Sequence, residues 1–291
     1  MFAEAPVIRT LPGERLHLSH GPIDVVLRAF GRPEAVGLAY RAVAARFAEI
    51  LPELCAELPV LRAPVGNGAK PQSPVGRRMN AACQPFAETF VTPMAAVAGS
   101  VADELLAAML KAAPLDRAYV NNGGDIAVHC SGSETLDIGV AGDFGQGLLP
   151  GLNGGVRIGL GYGIGGIATS GARGRSHSLG IADSVTVLAS DAATADVAAT
   201  LIANAVTVDH PAIRRLPASE LNPDSDLGDR LVTIEVGELP RAVVLAALEN
   251  GFARADDYLA RGLIVDAALM LQGETVTLNK TNTKTIQGRA A

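Results

Sequence analysis

Tryptophan is absent from this chain and tyrosine occurs four times in 291 residues, which leaves little from which to build a stacking platform for nucleic-acid bases. Blocks of five or six like charges are missing too. With a formal net charge of −6, neither nucleic acid nor an anionic membrane surface is an expected partner. Cysteine is scarce: Cys55, Cys83 and Cys130 are odd in number, widely spaced and without a C-x-x-C pair. No disulfide framework or zinc site follows, and the three read as small buried hydrophobes in a reducing compartment. No stretch reaches about 18 uninterrupted apolar residues, so no membrane span is expected. The start, MFAEAPVIRTLPGERLHL, has neither the basic opening nor the apolar run of a secretion signal. The expected location is cytoplasmic.

What is present is a hydrophobic fraction of 48% against 19% charged, enough for a sizeable core. Of the 32 glycines nearly half cluster between Gly139 and Gly180, where the backbone turns tightly or approaches something closely. Residues 15–31 predict a strand pair around the Ser19–Pro22 turn. From Pro33 to about Leu58 apolar residues recur at three and four, a helix that Pro52 should kink or break. Residues 59–82, rich in Pro and Gly, predict an extended surface loop. Thr92-Pro93 reads as N-cap and first helical residue of a helix through 94–113. Residues 117–130 and 134–142 predict a hairpin turning at Ser131-Gly132-Ser133. A strand at Ser184–Ala189 and an alanine-rich helix follow, then a strand at Leu231–Val236. Helices from Pro240 to Glu249 and from Ala253 to Leu271, a last strand at 274–278 and a frayed polar tail complete the pattern. Helices and hairpins mixed in this way predict one α+β domain over 1–291, two-layered, with a mainly antiparallel sheet packed by helices.

Few motifs carry chemistry. Asp196 and Thr200, four apart on the alanine-rich helix, put a carboxylate and a hydroxyl on one face of an apolar rod. Hard cations such as Mg²⁺ take oxygen ligands of this kind together with substrate phosphates; the ordinary alternative is a polar face that meets water. In the stretch from Val120 to Ile126, two amides, two glycines and Asp125 interrupt an apolar strand, marking either a ligand's close approach or a plain turn. Gly166 to Gly171 offers backbone N–H groups and the hydroxyls of Thr169 and Ser170 to a phosphate, but matches no nucleotide fingerprint. Arg173, Arg175 and His177 alternate behind it, as anion donors or as wetted side chains. Asp224, Asp226 and Asp229 lack the terminal Glu of a calcium loop and read as a solvated turn.

Taken in order, three of these stretches resemble the ApbE-like family, the FAD:protein FMN transferases once called thiamine-biosynthesis lipoproteins. V-N-N-G-G-D-I (120–126) is similar to that family's V-N-x-G-G-D-I strand, and A-T-S-G (168–171) to its A-T-S-G turn. S-V-T-V (184–187) with A-D-V-A-A-T (195–200) is similar to its S-V-T-V strand and A-D-A-L-A-T helix. The match spans roughly 92–206, and the N-terminal part with T-P-M-A-A-V-A-G looks like a shorter branch of the superfamily. The resemblance implies a T-fold-like architecture that binds FAD, with Mg²⁺ on its diphosphate held by Asp196, Thr200 and the backbone carbonyl of about Val97. Asn122, Gly123, Gly124, Thr169, Ser170, Gly171 and Arg175 would contact the flavin nucleotide, and Asp125 or His177 would serve as base. Two departures stand out. Ala98 occupies the place of the family's lysine, and residues 173–183 replace a longer H-H-I-x-D-P-x-T-G segment. Three readings therefore stay open: a Mg-dependent FAD:protein FMN transferase acting on a protein substrate, a non-catalytic flavin- or nucleotide-binding module in a redox or cofactor pathway with a redox partner, or a helper that assembles other subunits and retains only the fold. A homo-oligomer is compatible with each.

Overall fold

The computed structural model describes residues 5–66, 68–143, 151–172, 174, 177–278 and 285–287. Strands β1 (Val7–Leu11), β2 (Arg15–His20) and β3 (Ile23–Phe30) lead into helices α1 (Pro33–Ala56), α2 (Leu58–Leu61) and α3 (Pro74–Cys83). A 3-10 turn at Pro93–Ala96 opens α4 (Val97–Ala112), followed by β4 (Arg117–Asn122), β5 (Asp125–Cys130), β6 (Thr135–Asp143), β7 (Gly151–Gly159) and β8 (Gly166–Ser170). Then come β9 (Ser184–Ala189), α5 (Ala192–Ala205), β10 (Ile213–Pro217), α6 (Ala218–Leu221), β11 (Leu231–Val236) and α7 (Arg241–Ala260). Strands β12 (Asp266–Leu271), β13 (Glu274–Thr277) and β14 (Thr285–Gln287) close the chain. The architecture is α+β, and among the described residues the β1–β5, β5–β8, β9–β12, β12–β13, β13–β14 and β10–β11 registers are antiparallel.

The chain forms two compact units that interleave in sequence: residues 1–137, 157–168 and 189–197, and residues 138–156, 169–188 and 198–291. In the first, β1 through β5 pair in sequence order, and Ile167 of β8 adds to the edge opposite Ile126. Strict alternation in β2, β3 and β4 gives one apolar face, with Leu18, Val25, Leu27 and Val120 all fully buried. Helices α1 and α4 supply the other half of this core through Val43, Phe47, Ile50, Val101, Leu105 and Met109. In the second unit β9 is buried along its whole length, as a strand covered on both faces must be. It pairs with β12, which continues through β13 to β14, and α7 packs on β12.

Several local expectations give way to tertiary context. Pro52 does not end α1; Arg46 forms a two-pronged bond to Glu53 at 2.8 and 2.9 Å and ties the turns on either side of it. The surface loop expected over 59–82 contains α2 and α3. Ser73 caps α3 by accepting from Gly76 N at 3.1 Å, Pro74 sits in its first turn, and Val75, Met79 and Cys83 bury one stripe. Ser73→Ala is expected to cost about 1 kcal/mol, read as a lower denaturant midpoint at unchanged slope. Thr92 makes no side-chain cap, because Pro93 opens a 3-10 turn before α4 begins at Val97. The hairpin partners also differ: β4 pairs with β5 across Gly123-Gly124, whereas β6 pairs with β7. The helix expected to restart at Ala253 is part of a continuous α7, in which Gly251 lies flush against Val206 and Leu269. Residues 266–271 form strand β12, and the residues expected to fray fall outside the described ones apart from β14.

By length and composition Pro93–Ala112 passes for a membrane-crossing helix, but 56% of it is buried. It packs against α1, α3, β4 and β5, and its two acids, Asp103 and Glu104, are engaged inside the fold.

Candidate functional site

The site grows from the place where the first turns of α4 and α5 meet. Gly99 makes this approach possible: a Cβ there would lie 2.8 Å from Ala193 N and closer still to the Ala192 carbonyl. A helix leaves its first N–H groups without internal partners, and here each helix supplies the other's acceptor. Asp103, one turn beyond Gly99 on α4, accepts from Ala192 N at 3.1 Å and Ala193 N at 2.9 Å. Asp196, one turn into α5, accepts from Gly99 N at 2.9 Å and also from the Ala98 amide. Asp191 completes the start of α5, its carboxylate accepting from Thr194 N at 2.7 Å and its carbonyl from Ala195 N. All four opening amides of α5 are therefore satisfied by protein oxygens, and this helix start is not a ready phosphate cradle.

The β4–β5 hairpin brings the other half. Gly123 and Gly124 take positive φ values of 67° and 115° in a two-residue turn. Asn122 and Asp125, opposite each other in register, share the sheet face that α4 covers. Asn122 Nδ2 donates to the Ala98 carbonyl at 3.1 Å, and Asn121 Oδ1 accepts from Gly124 N at 2.9 Å. The Asp125 carboxylate lies close enough to Asp196 to perturb it. Burial first, and the Asp125 charge second, push the Asp196 carboxyl well above the usual carboxylate range against the pull of its two backbone donors. Burial likewise pushes Asp103 up to about 6, opposed by its bonds to Ala193 and Ala192 and reinforced by Asp191. The Cys83 thiol is pushed up by burial and by the Asp196 carboxylate beside it, which makes it an unreactive neighbour.

Of the residues singled out from sequence, Val97, Asn122, Gly123, Gly124, Asp125 and Asp196 belong to the first unit. Asn122, Asp125 and Asp196 gather around the start of α4, which Val97 opens. Thr169, Ser170, Gly171, His177 and Thr200 belong to the second unit. Thr200 is half-buried one turn after Asp196 along α5; Thr169 Oγ1 lies 2.9 Å from Thr186 Oγ1; His177 is exposed. Arg175 lies outside the described residues. Asp224, Asp226 and Asp229 occupy turns, with Ser219 Oγ donating to Asp229 at 2.6 Å. The sequence reading gave neither Asp103 nor Gly99 a role in the site. Their signal was an acid and a glycine four apart on an otherwise apolar helix, hence on one face. Among the described residues no three His, Cys, Asp or Glu side chains converge on a metal-sized point.

A family profile described as AbpE bacteria matches residues 8–277. The chain belongs to this family. Its AbpE bacteria core is similar to the UPF0280 protein of Methanopyrus kandleri, 33% identical over 259 residues that make up 88% of this chain and 86% of that one. The UPF0280 protein of Methanothrix thermoacetophila is 40% identical over 154 residues, 53% of this chain; the chain spans 57% of that relative's length. The apo crystal structure of the flavinyl transferase ApbE of Pseudomonas stutzeri is similar over 98% of this chain and 96% of that one, at 13% identity and a TM-score of 0.45.

The carboxylates of this AbpE bacteria chain set the pH response of the metal-free protein. Asp103 keeps its proton to about pH 6 when folded but only to about 3.8 when unfolded, so between these values the folded state binds more protons. Stability is greatest below the lower value and falls as pH rises to the upper one, by up to about 3 kcal/mol for this group. Denaturant melts of wild type and Asp103→Asn from pH 4 to pH 7.5 isolate the effect. The wild type's stability relative to the variant should decline over that window; a constant difference counts against it.

Proposed function

We propose that this protein binds a flavin nucleotide as its magnesium complex, with Asp196 and Thr200 supplying the side-chain oxygens to the metal. The observation that carries the reading is the pairing of Asp125 with Asp196. The two motifs that resemble the ApbE-like family bring one carboxylate each near enough to repel the other. Mg²⁺ is commonly held by only one or two carboxylates while phosphate oxygens and water complete its shell, so the donor set fits without a third acid. Bound there, the ion would offset the repulsion and polarise phosphoryl oxygens as a Lewis acid.

The chain's own residues perform the rest. The amides of Ala98 and Gly99 hold the Asp196 carboxylate in one orientation. Asn122 fixes the Ala98 carbonyl, and so the path of α4 beside Val97. The backbone of Gly123-Gly124 is the first unit's proposed lining for the nucleotide. In a transfer reaction a protein hydroxyl would form the new bond to the phosphorus next to the flavin, and AMP would leave with the electron pair of the broken P–O bond. Asp125 is the carboxylate proposed to accept the hydroxyl proton, with His177 as the second candidate.

Non-catalytic flavin binding is the second reading, and Ala98 favours it. The residue presents only a methyl group where the transferases carry an ammonium, and both its backbone groups are already engaged. One experiment separates the readings: incubation with FAD, Mg²⁺ and a cytoplasmic protein that bears a flavinylation motif. Covalent flavin with an equal amount of AMP supports transfer, and saturable Mg-dependent binding without transfer supports the module. Flat calorimetry with FAD and Mg²⁺ would end both.

A further inference from the structure

The mutual capping of α4 and α5 gives Asp103 a role beyond holding a helix end. We propose that Asp103 is a positioning residue: by fixing the first turn of α5 it aims the Asp196 carboxylate, and it thereby sets the affinity for the Mg²⁺–flavin nucleotide complex. This rests on the metal-binding reading of Asp196 above.

The bonds form a closed ring. Asp103 holds Ala192 N and Ala193 N, and one turn along α5 carries the constraint to Asp196. Asp196 returns it to Gly99 N and the Ala98 amide, and one turn along α4 leads back to Asp103. Gly99, with Ala192 and Ala193 packed directly on it, keeps the ring tight. Asp103 spends both carboxylate oxygens on amides and is only 8% exposed, so it is not itself a ligand or an acid–base group. Its charge also discourages Ala192 and Ala193 from turning toward a phosphate, because their N–H groups are already taken. A ring of this kind is cooperative: loosening one link frees side chains that the lost bond never touched.

The test reads amide hydrogen exchange and calorimetry on the full chain. Asp103→Asn keeps one acceptor and Asp103→Ala keeps none, so their effects should be graded. Exchange is expected to rise at Ala192 and Ala193, and also at least tenfold at Ala98 and Gly99, which Asp103 does not contact. Mg-dependent FAD affinity should fall at least tenfold in Asp103→Asn while the melting temperature stays near wild type. Leu248→Ala, which opens the second unit's core, is the control for general destabilisation and should leave the affinity unchanged in the folded protein. Faster exchange confined to Ala192 and Ala193, or full affinity in Asp103→Ala, overturns the proposal. Should wild type ignore Mg²⁺ and FAD altogether, the flavin reading fails and the affinity claim with it, and exchange at Ala98 and Gly99 still decides whether Asp103 positions Asp196.

Discussion

Asp196→Asn is expected to leave the melting temperature unchanged or raise it, while lowering Mg-dependent FAD affinity at least 100-fold. The two effects separate because they draw on different properties of one side chain. The amide keeps a carbonyl oxygen for Gly99 N, so one of the two caps on α4 survives. What disappears is a negative charge that burial and Asp125 both oppose. Removing an opposed charge relieves the folded state, and that relief offsets the lost bond to the Ala98 amide, worth about 1 kcal/mol. A metal ligand gains nothing from the exchange, since a neutral amide is a far poorer partner for Mg²⁺ than a carboxylate. A 100-fold loss corresponds to about 2.8 kcal/mol of binding free energy. Calorimetric titration and thermal melts on the same preparations decide the matter. A variant that melts well below wild type and still binds would reverse the assignment, leaving Asp196 a structural cap.

Gly99→Ala carries the largest predicted loss of stability, about 3–5 kcal/mol. The added methyl would meet the Ala192 carbonyl and Ala193 N, which are main-chain atoms of a neighbouring helix and cannot rotate aside. The two helix starts must separate, and the bonds from Ala192 and Ala193 to Asp103 and from Gly99 to Asp196 lengthen together. Gly124→Ala is the informative contrast. Space around it is open, and only the backbone strain at φ 115° opposes the methyl, a cost of about 1–3 kcal/mol. Denaturant titration of both variants should show the larger drop at Gly99; equal midpoints would mean that α4 and α5 do not depend on close contact.

How far this arrangement was legible depended on whether the signal was local. Strands β2, β3, β9, β11 and β13 were readable because alternation or an unbroken apolar run lies within each segment. The Asp196–Thr200 spacing on α5 was readable for the same reason. Helix α3 was not, since the surrounding Pro and Gly disguised Val75, Met79 and Cys83 recurring at four. In α7 the expected gap between Glu249 and Ala253 is absent, and Gly251 there is a packing surface for Val206 and Leu269. Strand partners are a choice among neighbours that pattern alone cannot make, which is why β6 was assigned to β5 rather than β7. Asp103 escaped for the deepest reason: the amides it serves lie 89 and 90 residues further along.

The short connection after Gly171 has a closed neck. Ala172 N donates to the Ala182 carbonyl at 2.8 Å, while Leu179 N bonds Asn204 Oδ1 and Ile181 N bonds the Val206 carbonyl. The two ends of this connection are therefore held together within the second unit, so a change of length between them need not move either. Doubling such an excursion adds only about 0.6 kcal/mol of closure entropy. This is the place at which a longer segment can be grafted into the chain, to ask whether FMN transfer then appears.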